Sequence, residues 1–205
     1  MNYRVLTVSR EYGSGGARIA KSIADTLGWK LLDEALIDAI ASAAHVDSAA
    51  VSEYDEHVEH WLHRLNRRTL RAAAIAGGFG ASVYSCFDED AATSLTSQII
   101  EQAYADGNCV IVGRGAQCIL RGKPAAFHVF IYAPFKERVR RLQDRLGSPA
   151  NYGHRIQTVD AERAHYLYQR FSKNWVDPHL YNLMLLSRED EELTARQILY
   201  VMNEA

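Results

Sequence analysis

The 205-residue chain is long enough to bury one sizeable core, and its 48% hydrophobic and 23% charged residues are ordinary globular usage, which excludes disorder. A formal net charge of −2 excludes a nonspecific nucleic-acid binder, and no apolar run approaches the roughly 18 residues that span a bilayer. Three cysteines (Cys86, Cys109, Cys118) are spaced for neither a zinc site nor a disulfide framework, and no apolar signal region opens the chain, so the cytoplasm is the expected location.

Residues 4–9 read as a short buried strand that ends in a glycine-rich turn. Ile19, Ile23 and Leu27, with Ala20 and Ala24, predict a helix that stops at Gly28. Leu31-Leu32 predicts a second strand ending at Asp33, and Leu36, Ile37, Ile40 and Ala44 predict another helix. From 47 to 107 the pattern is mostly helical, broken at Gly77-Gly78-Phe79-Gly80, and its last helix spans about 93–106 before Gly107-Asn108. Residues 109–113 and 127–132 carry the clearest strand signals. Pro134 then opens a charged helix, residues 147–154 form turns, and a helix carrying Arg163 and Arg170 follows. Residues 180–187 predict the last strand and 190–203 a closing helix. Strands alternating with helices imply an α/β fold around a mostly parallel sheet covered on both faces.

The first strand–helix junction reads Ser9-Arg10-Glu11-Tyr12-Gly13-Ser14-Gly15-Gly16-Ala17-Arg18. Such a loop turns backbone N–H groups inward, and the positive end of the following helix adds to an anion site. Against the phosphate-loop pattern G-x-x-x-x-G-K-[ST], with Gly15 as the second glycine, Arg10 replaces the first glycine and Gly16 the lysine. A bare connecting turn is the plainer alternative, but three glycines in four residues at this junction favour phosphate. The dinucleotide pattern G-x-G-x-x-G is absent.

The chain resembles the cytidylate kinase-like family, a branch of the P-loop nucleoside-monophosphate kinases. The resemblance rests on residues 9–16, on Leu27-Gly-Trp-Lys-Leu-Leu-Asp33, on 107–116 and on His128-Val-Phe-Ile-Tyr-Ala-Pro134. It continues through Val159-Asp-Ala-Glu-Arg163 and Trp175-Val-Asp-Pro-His-Leu-Tyr-Asn-Leu183. It implies a single three-layer P-loop domain over 1–205 with a five-stranded parallel sheet. The implied core is 1–32, 93–145 and 173–205, with a helical monophosphate-binding region at 33–92 and a lid at 146–172. It implies ATP and Mg²⁺ as cofactors, a small-molecule nucleotide as partner, and no nucleic acid or membrane. Gly13, Ser14, Gly15 and Gly16 fall on the phosphate loop, with Ala17 and Arg18 entering its helix. Asp33 falls at the start of the monophosphate site, Arg114 on the arginine that grips the acceptor phosphate, and Arg163 and Arg170 in the arginine-bearing lid. The chain departs from the cytosine-reading members at Glu34 and Gly115, where they carry Ser and Asp.

Each site residue has a second reading. Arg114 suits a bidentate phosphate clamp or a structural ion pair. Asp33 suits a Mg²⁺ water, a ligand hydroxyl or a helix cap. Arg163 and Arg170, seven apart, can share a helix face. Arg141 and Arg145 face either the lid or solvent, and Trp175 reads as packing. His57, His60 and His63 do not converge as metal ligands would, so no metal site is expected. The arginine bias, 18 Arg against 5 Lys, favours phosphate recognition, though genome composition produces the same skew.

The expected activity is therefore transfer of the ATP γ-phosphate to a nucleoside monophosphate, with CMP the first candidate. The alternatives are a nucleotide-binding protein that lost transfer with its lysine, and a kinase of another small acceptor. Arg10, the loop residue with a long cationic side chain, is expected to replace the lysine, with Arg18 less effective and Lys21 too remote.

Overall fold

The computed structural model describes residues 3–33, 37, 89–147, 151–188 and 190–204. The expected helix at 36–44 (apart from Ile37), the stretch from 47 to 88, the glycines at 77–80, Trp61, the three histidines at 57–63, Cys86 and Glu34 lie outside them. Two compact units divide the chain, 1–33 with 103–205, and 34–102. The site concerns the first.

Its frame is β1 (Val5–Arg10), α1 (Gly16–Leu27), β2 (Lys30–Leu32), the end of α2 (Glu89–Asp106), β3 (Cys109–Val112) and α3 (Ala116–Ile119). There follow β4 (Ala126–Tyr132), α4 (Phe135–Leu146), α5 (Tyr152–Phe171), a 3-10 turn (Pro178–Leu180), β5 (Leu183–Leu186) and α6 (Glu191–Glu204). The strands form one five-stranded sheet in the order β2-β3-β1-β4-β5, every pair parallel. β1 and β3, the strands before the two glycine-rich junctions, are therefore neighbours inside the sheet. Their loops leave from the same C-terminal edge, where open α/β sheets gather ligands.

Period-two alternation builds the three layers. Leu6 and Val8 of β1, Val110 and Val112 of β3, and Phe127, Val129 and Ile131 of β4 pack with α1 and α6 on one face. Phe130 turns to the other face, where Leu167 of α5, Trp175 and Leu180 enclose it, the Trp175 ring edge-on at 5.2 Å. Trp175 is thus packing. α1 stops where its sequence says: Gly28 takes φ +64°, and the Gly28 and Trp29 N–H groups cap the carbonyls of Asp25 and Ala24. Among the described residues, no helix is long and apolar enough to cross a membrane.

Two boundaries differ from the sequence reading. α2 begins at Glu89 rather than near 93, and the last strand begins at Leu183 rather than 180. In the second case Asp177 caps a 3-10 turn through the His179 N–H at 2.9 Å. The chain enters the sheet only at Asn182, which exchanges hydrogen bonds with the His128 backbone at 2.8 Å in both directions.

Candidate phosphate-binding site

The β1–α1 loop is held from three sides. Arg138 and Arg141, on the first turns of α4, are buried rather than solvated. Arg141 donates to the Ser14 carbonyl at 2.8 Å and to the Ser187 hydroxyl and carbonyl at 3.2 and 3.1 Å. It also donates to the Arg188 carbonyl, and so ties the loop to the chain leaving β5. Arg141 is therefore neither lid-facing nor solvated: its Nη1 and Nη2 groups are taken up by the Ser14 carbonyl of the loop, by Ser187 and Arg188 after β5, and by Glu137 one turn back. Arg145, one turn on, is exposed. Arg138 reaches the Tyr12 carbonyl at 3.3 Å and pairs with Asp160 of α5 and with Glu11.

α5 supplies the second side. The Tyr12 N–H donates to Asp160 at 2.7 Å, Arg163 donates to the Arg10 carbonyl at 2.9 Å, and the guanidinium carbons of Arg155 and Arg163 lie 5.5 and 5.8 Å from the Tyr12 ring centroid. Each cation–ring contact contributes about 0.5–1 kcal/mol at such partly exposed positions. Glu11 is the third fixture: its carboxylate accepts the Ala133 N–H at 3.0 Å. Burial raises its pKa above the usual carboxylate range, while that hydrogen bond and Arg138 pull it back down.

Within this frame the loop is a cradle built mainly of glycine backbone. Gly15 caps α1 at φ +86°, and among the described residues no side chain makes a capping hydrogen bond to the helix's first turn. The Ser14 hydroxyl is fully buried and has no hydrogen-bond partner among the described residues. A buried donor left unmet costs about 1–3 kcal/mol, so its presence in a loop of this form fits a ligand oxygen. Gly16 opens the helix, and a Cβ there would stand 2.6 Å from the Arg10 Cβ. A Cβ on Gly113 would stand 2.5 Å from the Arg10 Nη1. The Arg10 side chain therefore runs past Gly16 and across to the end of β3, through the space a side chain at 16 would need. Ala17 and Arg18 are exposed on the first turn, Arg18 paired with Glu191. Lys21 pairs with Asp25 at 2.7 Å, away from the loop.

At the end of β3, Gly113, Arg114 and Gly115 all take positive φ (+81°, +52°, +69°), closed by the Ala116 N–H on the Gly113 carbonyl. This is one left-handed turn, with an arginine in a conformation that suits glycine. The Arg114 guanidinium lies 6.0 Å from the Tyr166 ring centroid on α5, and the Phe171 ring fills the space a Gly115 side chain would take. Arg10, Arg114 and Arg163 are thus gathered at one edge with the loop. Arg170 is half-buried in the last turn of α5, and Asp33 is exposed at the end of β2, with β3 between β2 and β1. Burial pushes the Cys109 and Cys118 thiols up to about 12 and about 11, which leaves neither as a nucleophile. Among the described residues no cluster of acids, histidines or cysteines could hold a metal ion.

Sequence reasoning missed Arg138, Asp160 and Glu191, and it left Arg141 to the lid or to solvent. Arg138 and Arg141 sit three apart on a charged helix, a spacing that in sequence is indistinguishable from a solvated face. Asp160 and Glu191 meet the loop across more than 140 residues.

Residues 5–189 match the cytidylate kinase-like family. No curated protein matches the chain. Among solved structures, an uncharacterised protein from Eubacterium ventriosum superposes with a TM-score of 0.71 at 18% identity, covering 98% of this chain and 99% of that one. A shikimate kinase from Bacteroides thetaiotaomicron (TM-score 0.53, 13% identity, 97% and 98% covered) and a gluconokinase from Sinorhizobium meliloti (0.53, 14%, 99% and 93%) share the fold.

Proposed function

We propose that this chain, which belongs to the cytidylate kinase-like family, is a small-molecule kinase that transfers the γ-phosphate of ATP to a nucleoside monophosphate, with CMP the first candidate. The observation that carries this reading is the convergence of a glycine-rich loop, a buried Ser14 hydroxyl without a partner among the described residues, and two arginines, Arg10 and Arg114, on one sheet edge.

Phosphoryl transfer asks a protein to align donor and acceptor and to offset charge, and little else. The N–H groups of Gly13, Gly15, Gly16 and Ala17 and the Ser14 hydroxyl hold the donor phosphates. Arg10 supplies the cation that the motif's lysine would bring. Gly16 and Arg10 form one exchange: removing the side chain at 16 opens the corridor the arginine uses. Arg114 orients the acceptor phosphate, and Arg163 and Arg170 bring charge from α5 toward the transferring group. An acceptor oxygen forms the new P–O bond as the β–γ bridge breaks, its electron pair remaining on the β-phosphate of ADP. Mg²⁺, when bound, screens the β- and γ-phosphate oxygens. Ala17 stands where the motif carries a hydroxyl ligand, so the protein's own contribution to holding the ion would come, through water, from Asp33.

A second reading has one specific support. The family's cytosine-reading members carry Asp where Gly115 stands, and here the Phe171 ring fills that space. An aromatic wall in place of a carboxylate favours a different small acceptor on the same loop. A coupled assay with ATP, Mg²⁺ and a panel of monophosphates tests both readings. Turnover with CMP or another monophosphate supports the first, and turnover only with a non-nucleotide acceptor supports the second. ATP binding without turnover on any acceptor overturns both.

A further inference from the structure

The phosphate cradle faces an anion of the protein's own. Glu191, in the first turn of α6, lies where a side chain on Gly15 would project, and its carboxylate pairs with Arg18 in the first turn of α1. It is the better shielded partner, its side chain 18% exposed against 57% for Arg18. A carboxylate beside an uncapped helix N-terminus is favourable for the same reason that phosphate is, because both answer the partial positive charge of unpaired N–H groups.

We propose that Glu191 is a resident anion of the loop that an entering phosphate displaces, and that Arg18 changes partner from Glu191 to the phosphate. This rests on reading the loop as a phosphate site. Glu191 then sets the affinity of the loop: ligand gains Arg18 and the α1 N-terminus only by displacing the carboxylate. A weakly charged anion competes poorly for that exchange, whereas an oligophosphate competes well, so the latch favours ligands with linked phosphates.

Glu192 separates this role from an ordinary helix-terminus acid. It occupies the same turn of α6 with the same charge, yet it meets the Ser22 hydroxyl at 3.2 Å, on the outer seam between α1 and α6. Neutralising either acid removes one charge from the first turn of α6. Only Glu191 stands against the cradle.

The test is calorimetric binding of inorganic pyrophosphate to the whole chain, for wild type, Glu191→Gln, Glu192→Gln and Arg18→Ala, with thermal unfolding as the check on folding. Glu191→Gln is expected to tighten binding about five- to tenfold, the scale of one partly exposed carboxylate near a helix terminus. Glu192→Gln is expected to leave binding unchanged, and Arg18→Ala to weaken it two- to threefold, roughly the loss of one exposed charge contact. Unchanged or weaker binding by Glu191→Gln overturns the latch, as does equal tightening by Glu192→Gln, which would be a general charge effect. If wild type and every variant fail to bind pyrophosphate, the phosphate reading of the loop falls, and the latch falls with it.

Discussion

Arg114 is held at φ +52° between two glycines, a conformation that costs a residue with a Cβ roughly 1–2 kcal/mol relative to its right-handed counterpart. The protein tolerates that strain at the sheet edge where the loop lies, and strain of this kind gathers at working sites. Arg114→Gly should therefore leave the midpoint of thermal unfolding unchanged or raised, while transfer falls at least tenfold. A structural ion pair predicts the opposite: lower stability and intact turnover. Arg10 carries a related prediction. One charge-assisted contact to phosphate contributes roughly 1.5–3 kcal/mol, so Arg10→Ala should weaken ATP binding or turnover about ten- to a hundredfold, more than Arg18→Ala. Restoring a lysine at Gly16 in wild type should fail, because its Cβ meets the Arg10 stem. In an Arg10→Gly background that obstruction is gone, and Gly16→Lys should recover part of the lost affinity. Nucleotide titration of Gly16→Lys in the wild-type and in the Arg10→Gly backgrounds checks both statements.

α4 is the element on which the loop rests. Through Arg141 it joins the Ser14 carbonyl to the chain after β5, and through Arg138 it joins Tyr12 to Asp160 of α5. Arg141→Ala leaves buried carbonyls at Ser14 and Ser187 without a donor and should cost roughly 2–4 kcal/mol by denaturant unfolding. Arg141→Lys should recover little, since one ammonium cannot span both sites. α5 is fastened by Asp160, Arg155 and Arg163 to loop residues that nucleotide would contact next. Residues 146–172 are expected to close over nucleotide, with hydrogen exchange slowed there on binding. Equal protection with and without ligand would remove the lid role.

At the scale of the whole molecule, the sheet buries an imidazole. His128 of β4 is buried and shares a 2.8 Å hydrogen bond between its Nδ1 and the Thr7 hydroxyl of β1. Burial lowers its pKa below the ordinary 6.5, against a smaller opposing effect of a hydrogen bond to the Leu120 backbone. The unfolded chain therefore binds a proton at higher pH than the folded one. The resulting stability is present in full above about pH 6.5 and is lost as the pH falls through the folded value. Glu11, raised above 4.5, works with the opposite sign: its contribution is present below 4.5 and lost as pH rises through its folded value. Denaturant midpoints should thus decline from pH 7.5 to 5.5, and the decline should flatten in His128→Gln even if that variant is less stable throughout. An equal slope in both would place the titration elsewhere.

Local pattern was enough for most of the frame. The apolar runs at 109–112 and 126–132, the helical spacing of Ile19, Ile23 and Leu27, and the stop at Gly28 depend on neighbours within a few residues, so the sequence carried them. The glycines of the loop and the Gly-Arg-Gly after β3 were legible for the same reason, since a missing side chain is itself a local fact. What surrounds them was not. That Arg10 fills the corridor beside Gly16, that Phe171 occupies the space at Gly115, and that Glu191 stands against Gly15 are contacts between elements 6 to 176 residues apart. Only packing decides them, because the direction of a side chain across a sheet edge follows from register and helix rotation, and no short-range pattern fixes either. Arg141 shows the limit most clearly. Its charge and helical position are those of a solvated residue, and only the chain folding back from β5 makes it the buried support of the phosphate loop.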